Sequence, residues 1–127
     1  INDTPLLGIC LGMQFLLSAS EEEGEHAGLG LIKGRAVRFT QGKLPHMGWN
    51  SAEDLSSPLF EGIMPGTQFY FVHSYYAQVE DADAIAKTEY YVTFASAIGR
   101  GNAYGVQFHP EKSGAAGLQV LRNFMRL

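Results

Sequence analysis

Three side chains in this 127-residue sequence have the types and spacing that nucleophilic catalysis needs: Cys10, His109 and Glu111. Cys10 is the only cysteine. It lies in Pro5-Leu6-Leu7-Gly8-Ile9-Cys10-Leu11-Gly12-Met13-Gln14, where an apolar run gives way to Gly-x-Cys-x-Gly and then to an amphipathic segment. That pattern predicts a strand turning sharply into a helix, with a nucleophile at the corner. Gly8 and Gly12 would keep Cβ atoms away from the tight crossing, and Cys10 would take a strained backbone conformation. The turn would lift the sulfur out at the carboxyl end of the sheet, over the positive end of the following helix, which favours thiolate. The plainer alternative makes Cys10 a small buried hydrophobe at a strand end.

A cysteine nucleophile needs a base, and the base needs an orienting acceptor. His109 and Glu111 flank Pro110. Two residues apart in extended backbone, their side chains leave on one face, so Glu111 can accept from one ring nitrogen while the other faces Cys10. Alone, His109-Pro110-Glu111 reads equally as a polar turn between a strand and a helix; the elbow cysteine tips the balance. Among the other histidines, His26 falls in a Glu/Gly loop and is expected to be exposed. His46 has no adjacent carboxylate, and His73 ends an apolar strand, where a structural histidine fits. Zinc held by Cys10 and histidines has no short paired spacing behind it, so neither a metal nor a cofactor is expected.

These residues must be positioned by an α/β arrangement. The pattern predicts a buried strand over 5–9, a helix from about Gly12 to Ser20 with Met13, Leu16 and Leu17 on one face, and a solvated acidic loop over 21–25. Gly34 to Phe39 reads as a strand, and Leu44 to Asn50 as an irregular strand or loop broken by Pro45 and Gly48. Turn residues surround Leu59, Phe60 and Ile63. From Thr67 the chain is strongly β: strands over 68–73, 75–79 and 84–89, then 93–98 and 103–108 around a hairpin turn at Gly99-Arg100-Gly101-Asn102. A last helix, Ala115 to Met125, spaces Leu118, Leu121 and Phe124 for burial. This order suggests an α/β sheet with a mostly antiparallel insertion or edge.

With 17% charged residues and a net charge of −4, no basic excess points to a nucleic acid. No apolar run approaches a membrane span. A single cysteine excludes an internal disulfide and fits a reducing, cytoplasmic setting.

Gly8-Ile9-Cys10-Leu11-Gly12-Met13-Gln14 together with Gln107-Phe108-His109-Pro110-Glu111 resembles the class I, or triad, glutamine amidotransferases. Pro45-His46-Met47-Gly48-Trp49-Asn50 and Phe71-Val72-His73-Ser74-Tyr75-Tyr76 narrow the resemblance to the glutaminase subunits of imidazole glycerol phosphate synthase, in histidine biosynthesis. Lys112-Ser113 and Asn123-Phe124 continue it to the end of the chain. The resemblance implies a flavodoxin- or Rossmann-like sheet with helices. It also implies hydrolysis of L-glutamine to glutamate and ammonia, with Cys10 as nucleophile, His109 as proton carrier and Glu111 as its orienter. Gln14, Ser74 and Tyr75 match positions that hold the substrate, and the Leu11 N–H matches an oxyanion donor. Met47, Trp49 and Lys112 match positions near a cyclase (β/α)8-barrel partner that receives the ammonia; ordinary core packing is the other reading of Trp49.

The family places several strands and helices ahead of the nucleophile, among them a Gly-rich loop that supplies a second oxyanion donor. This sequence enters the nucleophile strand almost at once after Ile1, so residues 1–127 are expected to be the C-terminal portion of one such domain. Weak turnover and self-association through exposed sheet edge and apolar surface follow from that expectation. Two other enzyme readings stay open: another class I amidotransferase, serving guanylate, cytidylate or carbamoyl phosphate synthesis, and an intracellular-protease-like protein. The latter usually has histidine where this chain has Leu11. A catalytically inert binding or oligomerising module is the non-enzyme alternative.

Overall fold

A computed structural model describes residues 4–21 and 26–127, without the side chain of His26. The expectations for Ile1, Asn2 and Asp3, for Glu22, Glu23, Gly24 and Glu25, and for the exposure of His26 lie outside the described residues.

The elements run β1 (Leu6–Ile9), α1 (Leu11–Phe15), β2 (Leu17–Ser20), β3 (His26–Ala27), β4 (Ile32–Arg38), β5 (His46–Ser51), β6 (Gln68–His73), β7 (Tyr75–Val79), β8 (Ala84–Tyr90), β9 (Val92–Arg100), β10 (Ala103–Val106) and α2 (Gly114–Met125). Eight strands form one sheet in the order β1-β10-β9-β7-β4-β2-β3, with β8 also paired to β9. Only β1 with β10 and β2 with β4 run parallel; the other pairings are antiparallel. β5 and β6 form a separate antiparallel pair, from His46↔His73 to Ser51↔Gln68.

The apolar residues form two clusters. One gathers Phe69 and Phe71 of β6, Phe94 of β9, Phe108, and Val120 of α2. The Phe69 and Phe108 rings stack at 4.1 Å. The other holds Met13 of α1, Leu17, Ile32, Ala36, Ala77 and Ile98. The sheet thus has α1 on one side, and α2 with the β5–β6 pair on the other.

Five expectations need correction. The first strand is not buried throughout: Leu6 is exposed and only Gly8 is fully buried, because β1 is an edge among the described strands. The first helix does not reach Ser20: it stops at Phe15, and 17–20 is strand. The carbonyls of Phe15, Leu16, Leu17 and Ser18 accept from Leu29, Leu31, Gly30 and Gly28 respectively. A tertiary partner thus takes the acceptors that a continuing helix would use. Gly28 is required there, because a Cβ would strike the Leu17 carbonyl. Leu44 to Asn50 is not irregular, for β5 is a regular strand, with Pro45 left outside the ladder just before it. The hairpin turn is tighter than expected, since β9 continues through Gly99 and Arg100 and only Gly101 and Asn102 lie outside strands. Finally, α2 buries Gly117, Val120 and Asn123, whereas Leu118 is exposed and Leu121 and Phe124 are half-buried. Gly117 sets that face: a Cβ there would overlap the Pro110 carbonyl.

Candidate active site

Cys10 caps the amino end of α1 with φ 55° and ψ −108°, a left-handed conformation that side chains other than glycine avoid. Such a backbone costs on the order of 1–3 kcal/mol and marks an elbow. Its N–H still continues the β1–β10 ladder, bonding the Val106 carbonyl at 2.7 Å. Its carbonyl already accepts from Met13 and Gln14 at 3.1 and 3.3 Å. Strand therefore becomes helix within one residue. Gly8 makes the crossing possible, because a Cβ there would lie 2.5 Å from the Gly12 carbonyl oxygen. Gly12 does not share that role: a Cβ at Gly12 meets nothing within 4 Å. Gly105 of β10 is the second required glycine, since a Cβ there would collide with the Met13 side chain.

Parallel pairing of β1 with β10 places Cys10 and the segment after Val106 at the same end of the sheet. Residues 107–113 are then tied to β6. The His109 N–H bonds the Tyr70 carbonyl at 2.9 Å, the Ser113 hydroxyl donates to the His109 carbonyl at 2.6 Å, and the Tyr70 N–H donates to the same hydroxyl oxygen at 2.9 Å. His109 itself is extended, and Pro110–Lys112 forms a 3-10 turn rather than continuing the strand. The expected contact forms nevertheless: His109 Nδ1 lies 2.8 Å from Glu111 Oε2. The Glu111 carboxyl is held below its ordinary value. Partial burial pushes it up, but its own backbone N–H, the His109 side chain and Lys112 together outweigh that. An ionised Glu111 accepts from His109 Nδ1, which in the neutral ring leaves Nε2 as the acceptor.

The sulfur of Cys10 has two neighbours that sequence patterning did not single out. Its thiol points at the Val72 carbonyl, 3.8 Å away, and the Gln107 amide Nε2 donates to it at 3.7 Å. Val72 precedes the His73–Tyr75 corner, so Ser74 and Tyr75, both half-buried, lie two and three residues beyond the carbonyl at the sulfur. The Ser74 carbonyl is held by the Phe39 N–H at 3.1 Å and the Tyr75 carbonyl by His73 Nδ1 at 2.8 Å. Gln14 is buried on α1 with its Oε1 unpartnered, while Leu11, the residue after Cys10, is exposed.

His46 and His73 are bonded to each other. His46 Nδ1 and His73 Nε2 lie 2.9 Å apart, and Asn50 Nδ2 sits 3.2 Å from His46 Nε2. Because His73 Nδ1 must donate to a carbonyl, its Nε2 accepts, and His46 Nδ1 therefore donates. Both rings are neutral. Burial pushes His46 down to about 4. Burial likewise brings His73 to about 4, the Tyr75 carbonyl pulling the other way and His46 and His109 adding to the fall. Met47 and Trp49 are 62% and 54% exposed on one face of β5, and Lys112 is exposed in the 3-10 turn. Trp49 is thus not a core residue; its ring meets Tyr70 in a T-shaped arrangement with centroids 5.9 Å apart. Among the described residues no group of three or more His, Cys, Asp and Glu side chains converges as a metal site would, and no helix is long and apolar enough to cross a membrane.

The arrangement can deliver a thiolate and a carboxylate-oriented imidazole to one end of a sheet, beside a buried amide. A family model described as "Glutamine amidotransferase class-I" matches residues 1–127. The chain is 52% identical to the imidazole glycerol phosphate synthase subunit HisH of Thermococcus kodakarensis, over 100% of this chain and 69% of that protein. It is 53% identical to the HisH of Methylococcus capsulatus, over 98% and 63%. It spans 58–69% of the length of the curated relatives it matches. A solved structure of a putative GMP synthase component from Thermoplasma acidophilum superposes with a TM-score of 0.70 at 20% identity, covering 98% of this chain and 57% of that one. That likeness is one of fold, a mixed α/β fold.

Proposed function

The chain belongs to the class I glutamine amidotransferase family, and from that premise we propose that it is the glutaminase part of an imidazole glycerol phosphate synthase. It hydrolyses L-glutamine to glutamate and ammonia, and the ammonia passes to a cyclase (β/α)8-barrel subunit that uses it to make imidazole glycerol phosphate. The observation that carries the reading is the elbow at Cys10 on the strand parallel to the one leading into the His109–Glu111 pair.

In the proposed cycle, His109 Nε2 takes the thiol proton as the sulfur attacks the side-chain amide carbon of glutamine, forming the C–S bond. The oxyanion is stabilised by the Leu11 N–H at the amino end of α1. His109 returns the proton to the departing nitrogen, the C–N bond breaks and ammonia leaves a glutamyl thioester. Water, deprotonated by His109, then breaks the C–S bond, releasing glutamate and restoring Cys10. The bare Gln14 Oε1 suits an N–H of the substrate, and Ser74 and Tyr75 form the opposite wall. Met47, Trp49 and Lys112 present an exposed apolar and basic face to the barrel.

The test is glutamate release from glutamine in the presence of the cyclase subunit. The wild-type chain should release glutamate, and Cys10→Ala should abolish it. Undiminished release by Cys10→Ala would remove the assignment.

A further inference from the structure

Gln107 is fully buried, yet its carbonyl Oε1 has no hydrogen-bond partner. Its backbone is already secured by the bond from its N–H to the Ser96 carbonyl, at 2.8 Å, so the side chain is not needed to hold the segment. A buried amide with a bare carbonyl is destabilising, and an apolar side chain of equal size would fill the same space without that penalty. What the amide supplies is its N–H, directed at the Cys10 sulfur. Turned the other way, it would set an oxygen beside a sulfur whose single thiol proton already points at the Val72 carbonyl.

We infer that Gln107 is a catalytic residue: its buried amide donates to the Cys10 sulfur and favours the thiolate over the thiol. A hydrogen bond to a charged acceptor is roughly twice as strong as one to a neutral acceptor, so the bond tightens when Cys10 ionises. The thiol's own contact, to Val72, is lost in the same step. Two buried amides with bare carbonyls then divide the work: Gln14 leaves an acceptor bare for substrate, while Gln107 spends its donor on sulfur. The inference rests on Cys10 being the nucleophile of the proposed function. The titratable groups at this end of the sheet are His109, Glu111 and Lys112 beyond β10, His46 and His73 of the β5–β6 pair, and Tyr75 at the start of β7. All of them are retained in the variants below.

Because Cys10 is the sole cysteine, its alkylation by iodoacetamide followed against pH reads one group. Gln107→Met, which keeps the volume and removes the donor, should raise the midpoint of that profile by about one unit and slow alkylation at neutral pH by up to about tenfold. An unchanged midpoint in a folded Gln107→Met protein overturns the inference. Should that variant not fold, nuclear magnetic resonance on the wild type decides. The Gln107 side-chain amide proton should shift with the same midpoint as Cys10 and stop shifting in Cys10→Ser. An amide that ignores Cys10 ionisation overturns the inference as well. Glutamate release measured on the same preparations separates the two readings. A midpoint that moves in a protein with no glutaminase activity keeps the role of Gln107 and removes the enzyme assignment.

Discussion

His46 and His73 lie end to end inside the protein, one ring donating to the other and the second donating to the Tyr75 carbonyl. His46 also stacks on Tyr90 at 4.1 Å. Neither ring can take a proton without breaking a bond in this chain, and each is pushed from 6.5 to about 4. The unfolded chain therefore binds protons first as pH falls. Stability from this source is complete above about pH 6.5 and is lost progressively between about 6.5 and 4, by an amount on the order of a few kcal/mol for the pair. Urea midpoints measured at pH 7.5 and 4.5 check this, and equal midpoints would contradict it. Glu111 acts in the same direction, at lower pH. Its lowered carboxyl supports the folded state above its unfolded value and loses that support in acid, but it is largely exposed and adds little. At this scale the elbow at Cys10 and the His109–Glu111 contact were legible, because a glycine-flanked cysteine and a His-Pro-Glu run are local patterns. Gln107 was not: its contact with Cys10 spans 97 positions, which no local spacing encodes.

Elements were read well where one local preference dominated. The aromatic, β-branched strands 68–73 and 75–79 appear with those bounds. The first helix was overextended because its end is set by the 28–31 segment taking its carbonyls, a tertiary event. In α2 the leucine spacing was misleading, because polar contacts choose the face. Asn123 Nδ2 donates to the Leu59 and Glu61 carbonyls at 2.9 and 2.8 Å, beneath the buried Leu59 and Phe60. Asn123→Ala should cost about 2–3 kcal/mol by stranding those carbonyls, whereas Leu118→Ala should cost less than about 1 kcal/mol. Chemical denaturation of both variants tests the assignment, and a reversed ranking would reject it. Gly8→Ala should fold poorly or displace α1, since its Cβ would press on the Gly12 carbonyl. Gly12→Ala meets no such obstacle, so near-equal thermal midpoints for the two would contradict the elbow geometry.

For the whole molecule, two exposed apolar regions matter. Met47 and Trp49 flank the site, and Trp49→Ala should weaken binding to the cyclase barrel by about 2 kcal/mol or more if it is an anchor; calorimetry reads this directly. Leu6, Phe15, Leu29 and Leu31 are exposed elsewhere, and β1 is an edge among the described strands. We expect the isolated chain to self-associate through that edge, which sedimentation would contradict by showing a monomer across micromolar concentrations. The central claim is that Cys10 is the nucleophile of a glutamine-binding site. It is tested most directly by intact-mass analysis after exposure to a diazo-ketone analogue of glutamine, with and without excess L-glutamine. The account predicts one adduct, mapped to Cys10, slowed by glutamine and absent when His109 is replaced by Asn. No adduct, or one that forms equally fast in the presence of glutamine, would contradict it.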